Sequence, residues 1–165
     1  MDLKTVRVAR AVVFDSETGN ILLVKRNKTS SYYPDVWEFP GGKYDDDQSS
    51  FRAVLEREVY EETGLQIQGI SEDRYEIRNI SSVGKHRGAC FVVQSAVVSV
   101  QPGRVVLSDA EHSAWRWITP KFFFSKDRRL ICTPETRKIG TFFRKKIRRH
   151  KQKASARRTS IAQAA

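Results

Sequence analysis

The sequence predicts an α/β domain in which helices pack on a mixed β-sheet. Two apolar segments near the N-terminus flank a turn sequence, which is a hairpin pattern. A segment with apolar residues at helical spacing follows, and after it come several β-branched runs and a second helical segment. This order of strands and helices is typical of a layered α/β fold. At 165 residues the chain is long enough for one domain with a substantial apolar core.

The predicted hairpin occupies the first part of the chain. Residues 6–14 alternate between polar and apolar side chains and then become apolar, which predicts a strand. Residues 15–20 (DSETGN) have the composition of a turn, and Ile21–Arg26 pairs back as the second strand. Residues 27–34 then form the loop that leads to a glycine pair.

The first helix is predicted by its apolar face and by signals at both ends. Ser49 or Ser50 can cap the N-terminus, and Gly64 is typical of a left-handed residue that ends a helix. The apolar residues fall at i, i+3, i+4 and i+8, which is one helical face. They are Phe51, Val54, Leu55 and Val59.

The rest of the chain supplies further strands and a terminal helix. Strands are predicted at residues 66–69, 74–80, 89–100 and 114–118, and a short segment at 121–124 follows. The strand at 89–100 is apolar on both faces, which favours a central position in the sheet. The terminal helix opens at Pro134 and docks one apolar face on the domain through Ile139, Phe142, Phe143 and Ile147.

The first helix carries three carboxylates on one side. Glu58, Glu61 and Glu62 are spaced i, i+3 and i+4, so they lie on neighbouring turns. Carboxylates at this spacing repel each other, and a divalent cation would convert that repulsion into attraction. Oxygen ligands of this kind suit Mg²⁺ or Mn²⁺. The alternative interpretation is a solvated acidic face with arginines as surface partners.

The segment from residue 41 to residue 65 resembles the Nudix box, the signature motif of the Nudix hydrolase family. That signature is a glycine, five residues, a glutamate, seven residues and then Arg-Glu, an aliphatic residue, any residue, Glu-Glu, any residue, Gly and an aliphatic residue. Residues 57–65 (REVYEETGL) match its second half completely, and Gly41 and Gly42 match its start.

The middle of the segment departs from the signature. The interval from Gly42 to Arg57 is one residue longer than the pattern, so Ser49 stands where the first glutamate belongs. Asp46 or Asp47 takes that place if the loop carries a one-residue insertion. The motif that carries the resemblance is about 24 residues long, out of the 165 residues of the chain.

The resemblance implies a fold and a reaction. Nudix domains are α/β/α sandwiches with a mixed sheet, and Nudix hydrolases cleave diphosphate linkages by water attack on phosphorus. Metal ions would neutralise the phosphate oxygens and lower the pKa of a bound water. The roles implied for this chain are metal ligands at Glu58, Glu61, Glu62 and Asp47, catalytic residues at Glu61, Glu58, Arg57 and Glu111, and substrate contacts at Gly41, Gly42, Lys43 and Trp37. Arg57 is expected to hold a neighbouring carboxylate by a bidentate contact, and His112 to be a packing or surface residue.

The substrate class is predicted only in outline. Residues 37–43 resemble the lead-in of MutT-like enzymes, which cleave nucleoside triphosphates, including oxidised ones. The longer acidic loop leaves nucleoside diphosphate sugars, dinucleoside polyphosphates and mRNA caps open as substrates. Tyr32 and Tyr33 either stack on a nucleobase or pack partly in the core.

Charge and cysteine content indicate the cellular compartment in which we expect the protein. The net charge is +11, and all of the excess lies from Arg137 onward, where eleven Lys and Arg residues occur without Asp or Glu. Two cysteines are too few for a disulfide scaffold, no run is long enough to span a membrane, and the N-terminus is not a secretory signal. We therefore expect a cytoplasmic protein, with the basic run as a candidate nuclear-import signal.

The basic segment defines the second hypothesis. We expect a Nudix domain over residues 1–136 and a basic helix with a disordered tail over residues 137–165, the tail beginning at Ala154. Such a segment can bind RNA or another polyanion. The alternative function is therefore a Nudix-fold RNA or ribonucleoprotein-binding protein with weak or no catalysis.

Overall fold

The structure is a computed structural model that describes residues 4–46, 49–82, 86–125, 127 and 129–164. Its strands are β1 (Thr5–Phe14), β2 (Ile21–Arg26), β3 (Trp37–Glu38), β4 (Ile67–Ile70), β5 (Tyr75–Ile80), β6 (Cys90–Val100) and β7 (His112–Ile118). Its helices are α1 (Phe51–Thr63), α2 (Pro120–Phe123), α3 (Pro134–Phe142) and α4 (Arg144–Ala164).

A parallel pair of strands forms the middle of the sheet. Strands β1 and β6 run side by side, with Thr5 opposite Cys90 and Phe14 opposite Ser99. The other pairings, β1–β2, β2–β3, β2–β7, β4–β6 and β5–β6, are antiparallel. The mixed sheet and the central position of β6 predicted from the sequence are therefore confirmed.

Helices cover both faces of this sheet. On one face, Val54, Leu55 and Val59 of α1 pack with Val13 and Leu22. The other face packs against the remaining helices, with a core that includes Val12, Ile21, Phe123, Ile139 and Ile147. The architecture is an α/β/α sandwich, as predicted.

Helix α1 has the ends that its sequence predicts. The Ser50 hydroxyl accepts a 3.1 Å hydrogen bond from the Ala53 N–H, whereas Ser49 hydrogen-bonds to Asp46. Gly64 has a φ of 69° and its N–H donates to the Tyr60 carbonyl. These contacts define where helix α1 begins and ends, and so they define the position of its acidic residues relative to the sheet.

The C-terminal segment is more ordered than the sequence suggested. Ile139, Phe143 and Ile147 are buried, while Phe142 is 52% exposed and stacks on Tyr75. Helix α4 continues to Ala164, through the region expected to be disordered. The segment has no Gly or Pro after residue 140, so nothing interrupts the helix. Residues on both sides of position 136 share one core, and the boundary itself stays a prediction.

None of the helices in the described part of the chain is long and apolar enough to cross a membrane.

Candidate active site

The glycine pair lies against the edge of β1. The Ala9 N–H donates to the Gly42 carbonyl at 2.8 Å, which holds the loop along the strand. Gly41 has a φ of 137°, and a Cβ on it would be 2.1 Å from the Ala9 carbonyl oxygen. Only glycine fits there, because a side chain would collide with the backbone of β1.

Glu62 is buried beneath this loop. Its side chain accepts a 2.9 Å hydrogen bond from the Gly41 N–H at Oε2, and the residue is only 5% exposed. Burial raises the pKa of Glu62 well above its ordinary value of 4.5, although Arg10 and the Gly41 N–H act in the opposite direction. Glu62 therefore fixes the loop and is a carboxylate that a nearby cation would stabilise.

Glu58 lies one turn earlier, under Gly42. A Cβ on Gly42 would be 2.3 Å from the Glu58 carboxyl group, so the missing side chain makes room for it. Burial raises the pKa of Glu58; the Arg57 guanidinium opposes this shift, and repulsion from Glu61 and Glu111 adds to it. Glu58 is thus repelled by two other carboxylates.

Arg57 bridges two of these carboxylates. Its Nη2 atom is 2.9 Å from Glu58 Oε1, and its Nη1 atom is 3.2 Å from Glu61 Oε2. Nη2 also contacts Asp45 and donates to the Lys43 carbonyl. The expected bidentate contact with one carboxylate is therefore replaced by a bridge between two, and the Glu61 side chain remains 59% exposed.

A buried ion-pair cluster beside the glycine pair was missed in the sequence. Glu38 Oε2 is 3.0 Å from Arg10 Nη2, and its Oε1 is 2.8 Å from Arg26 Nη1. Burial alone would raise the pKa of Glu38, but Arg10, a hydrogen bond with His112 and Arg26 together lower it to about 2. The available signal was charged residues within otherwise apolar strand segments.

Arg10 links this cluster to the loop. Its Nη1 atom donates to the Phe39 carbonyl at 3.1 Å and to the Gly41 carbonyl at 2.6 Å. The glycine loop is thus held on one side by Glu62 and on the other by a guanidinium paired with Glu38.

His112 lies between the two buried carboxylates. It is 1% exposed, with Nε2 3.4 Å from Glu38 Oε1 and Nδ1 3.9 Å from Glu62 Oε1. Nδ1 has no hydrogen-bond partner within the part of the chain that the structure describes. His112 is a packing residue, as expected, but one that packs between acidic groups.

These elements border a cleft of about 490 Å³. Glu58, Gly41, Gly42, Lys43 and Glu111 line it, which brings five of the predicted site residues together. Lys43 Nζ lies 3.0 Å from His86 Nε2 at the same cleft. Glu61 and Glu62 are not among the lining residues.

Two predicted site residues lie elsewhere. Trp37 is 6% exposed and belongs to the apolar core, with the Arg116 guanidinium 5.5 Å from its ring centroid. The prediction that Trp37 contacts substrate does not agree with this position, because strand β3 directs the indole into the core. Asp47 lies outside the described residues.

Aromatic side chains also line the cleft. The rings of Tyr32 and Phe91 are nearly parallel, with centroids 6.1 Å apart and an interplanar angle of 7°. The Tyr32 hydroxyl donates to Glu135 Oε1 at 3.0 Å, and burial followed by Glu135 raises the pKa of Tyr32. The flat faces of these two rings and the acceptor oxygens of Glu135 suit a planar heterocycle.

The carboxylates fit a divalent cation in donor type and in charge, since Glu58 is repelled by both Glu61 and Glu111, and Glu62 is buried with a raised pKa. Their side chains are nevertheless spread around Arg57. Within residues 4–46, 49–82, 86–125, 127 and 129–164, no three His, Cys, Asp or Glu side chains are grouped closely enough to hold a metal ion.

Comparison with known proteins identifies the family. The NUDIX domain model matches residues 4–131, which is most of the chain. The chain belongs to the Nudix family. The resemblance inferred from residues 41–65 is therefore confirmed, and the sandwich described above is a Nudix fold.

Curated relatives match this chain over part of its length. The m7GpppN-mRNA hydrolase NUDT17 of Xenopus laevis is 39% identical over 66 residues, which is 40% of this chain and 22% of that protein. The 8-oxo-dGTP diphosphatase of Proteus vulgaris is 36% identical over 67 residues, or 41% of this chain and 57% of that protein. The chain thus matches from about a fifth to somewhat more than half of these relatives.

Solved structures show the same Nudix fold. The MutT NUDIX hydrolase from Burkholderia pseudomallei superposes with a TM-score of 0.66 at 21% identity, covering 81% of this chain and 94% of that one. A C. elegans Ap4A hydrolase binary complex gives a TM-score of 0.59 at 21% identity, covering 94% and 98%. At these identities the similarity establishes the fold.

Proposed function

We propose that this Nudix protein is a divalent-metal-dependent pyrophosphohydrolase that cleaves nucleoside diphosphate-linked substrates. The observation that supports this proposal most directly is the position of Glu58. Its side chain is 14% exposed, borders the cleft and lies under Gly42, and burial together with repulsion from Glu61 and Glu111 raises its pKa. An enzyme that binds cations needs this arrangement, whereas a protein that only binds nucleic acid does not.

The residues of the chain divide the work. Glu58, Glu61 and Glu62 would hold Mg²⁺ or Mn²⁺, which supplies charge neutralisation and activates water when bound. The glycine pair lets the phosphates approach the backbone without meeting a Cβ. Lys43 borders the same space and adds positive charge, and Glu111, which also borders the cleft, would accept a proton from the attacking water.

The aromatic side chains that line the cleft support a nucleoside as the group attached to the diphosphate. Tyr32 and Phe91 border the same cleft as Glu58, so a base and a diphosphate can be accommodated together. The names of the curated relatives, which act on 8-oxo-dGTP and on m7GpppN-mRNA, agree with a nucleotide substrate. We infer a nucleoside triphosphate, an oxidised deoxynucleotide or a nucleoside diphosphate sugar.

The test is hydrolysis of a nucleotide panel by wild type, Glu58→Gln and Glu56→Gln. Glu56 is on the same helix but pairs with Arg52 on the exposed side, so it is a matched control. We expect turnover that requires Mg²⁺, a loss of about 10³-fold for Glu58→Gln, within the range for removal of a positioned acid–base group, and full activity for Glu56→Gln. A wild type that is inert across the panel, with and without Mg²⁺ or Mn²⁺, would favour the binding protein.

A further inference from the structure

Helix α4 carries a row of basic side chains that the proposed hydrolase does not use. Lys145, Arg149, Lys153 and Arg157 follow one another at intervals of four residues and all are exposed. Residues four apart form a ridge on a helix and are separated by about 6 Å along its axis, so this row is about 18 Å long. We call these four residues the basic ridge.

The opposite side of α4 fixes the orientation of the ridge. Ile147 and Ala154 are each 2% exposed, and both are directed towards the domain. The His150 ring stacks on Phe14 with centroids 3.8 Å apart, and Lys151 Nζ donates to the Thr18 carbonyl at 2.7 Å. The helix is therefore attached to the β1–β2 hairpin. Lys145 and Arg149 lie on the side opposite Ile147, and Lys153 and Arg157 continue the row as exposed residues further along the helix.

The charge of the ridge is not balanced within the described part of the chain. Lys146, outside the ridge, pairs with Asp73. No described acidic side chain pairs with the four ridge residues. Like charges at this spacing destabilise an isolated helix. The sequence before residue 137 is neutral, with nineteen basic and nineteen acidic residues, so the charge is concentrated on this segment.

We propose that the basic ridge is a docking surface for the phosphodiester backbone of nucleic acid, in addition to the hydrolase site. A duplex carries one phosphate charge per about 1.7 Å of axis, so an 18 Å ridge faces on the order of ten phosphates. The ridge has no aromatic side chain for base stacking. Binding is therefore independent of sequence, because phosphate contacts position a protein without reading bases.

A membrane surface fits the same helix less well. A helix that binds membranes needs a wide apolar face to insert among the lipids. On α4 the large apolar residue Ile147 is buried against the domain, and Ile161 is the exposed large apolar residue among the helix positions described. Nucleic acid requires only charge at regular spacing, which the ridge provides.

The test measures binding of the full chain to fluorescent RNA and DNA duplexes of mixed sequence as a function of NaCl. Four phosphate contacts predict a slope of log affinity against log salt of about −4. The variant Lys145→Gln/Arg149→Gln/Lys153→Gln should reduce this slope to about −1. The matched control is Arg52→Gln/Arg78→Gln/Arg129→Gln, which removes the same charge from residues that already pair with acids. This control should keep the wild-type slope.

Each outcome decides the proposal. Equal losses of duplex affinity in both triple variants would show a general charge effect and would overturn the proposal. Displacement of the duplex by polyglutamate or by anionic vesicles at matched charge would also overturn it. Absence of binding by the wild type at 50 mM NaCl would also overturn it. Both triple variants should retain nucleotide hydrolysis, and Glu58→Gln should retain duplex binding, so a failure here is distinguishable from a failure of the proposed enzyme.

Discussion

The carboxyl group of Glu58 occupies the space that a side chain on Gly42 would need. A Cβ at that position would lie 2.3 Å from Glu58 Cδ and Oε2. The glycine therefore controls where this carboxylate lies, and the two residues act as one unit although they are sixteen positions apart in the sequence.

Gly42→Ala should separate activity from stability. The new methyl group displaces the Glu58 carboxylate, and a shift of about 1 Å at a reacting group can cost about 10²-fold in rate. Because Glu58 is flexible and can turn towards solvent, the melting temperature should change little. Gly103→Ala is the control, since its Cβ would meet Leu65 at an ordinary 3.6 Å. Full activity in Gly42→Ala would show that the position of Glu58 does not matter.

Glu62→Gln should change how stability depends on pH. In metal-free buffer the raised pKa of Glu62 contributes stability to the folded protein below about pH 4.5. This contribution is lost as the pH rises through the higher pKa that Glu62 has in the folded state. Glutamine does not ionise and can still accept from Gly41, so the variant should gain stability relative to wild type as pH increases above 4.5. Urea unfolding from pH 4 to pH 8 measures the difference.

Glu38→Gln should give the opposite dependence. The pKa of Glu38 is lowered from 4.5 to about 2 in the folded state. Its contribution to stability is therefore complete above pH 4.5 and is lost as the pH falls through about 2. The deficit of this variant relative to wild type should therefore shrink between pH 4.5 and 2. A deficit that is constant over this range would contradict the ion-pair interpretation.

Tyr32→Ala should weaken nucleotide binding specifically. Stacking of a base on an aromatic ring is worth about 1–3 kcal/mol, so KM for nucleotides should rise about tenfold or more. Inorganic tripolyphosphate, which has no base, should be bound equally by wild type and variant. Tyr60→Ala is the control, because Tyr60 is 56% exposed on α1 and does not border the cleft. An equal change in KM for both substrates would exclude base stacking.

Ile147→Ala should destabilise the whole domain. Ile147 is 2% exposed and belongs to the core shared with the sheet, and truncation of such a residue typically costs about 2–5 kcal/mol. Ile161→Ala, on the same helix but 71% exposed, should cost almost nothing. Urea denaturation gives both values. A negligible effect of Ile147→Ala would mean that α4 is not docked in solution.

Local patterns in the sequence account for most of the fold and for the acidic helix. The ends of α1 depend on Ser50 and Gly64 alone, and the strands follow apolar runs, so each was accessible without knowledge of distant contacts. The same holds for Glu58 and Glu61, whose spacing is set by the helix.

Features that depend on long-range contacts were not predicted. Glu38 meets Arg10 across 28 residues and His112 across 74, and no local pattern indicates that these residues share one buried cluster. The sequence predicts that Trp37 contacts substrate because it precedes the glycine pair, yet the direction of a strand side chain depends on which face of the sheet is covered. The continuation of α4 past Ala154 was missed for another reason: residues 155–163 are all exposed, so no apolar face indicated a helix there.

The guanidinium of Arg10 joins Glu38 to the carbonyl groups of the glycine loop. The strand residues beneath the cleft are thus held together by hydrogen bonds and ion pairs, while other lining residues come from residues 27–34 and the start of α3. Substitutions among these other lining residues can alter which molecule binds and leave the acidic groups undisturbed. A lineage descended from this chain could acquire a new specificity through a few loop replacements, without rebuilding its chemistry.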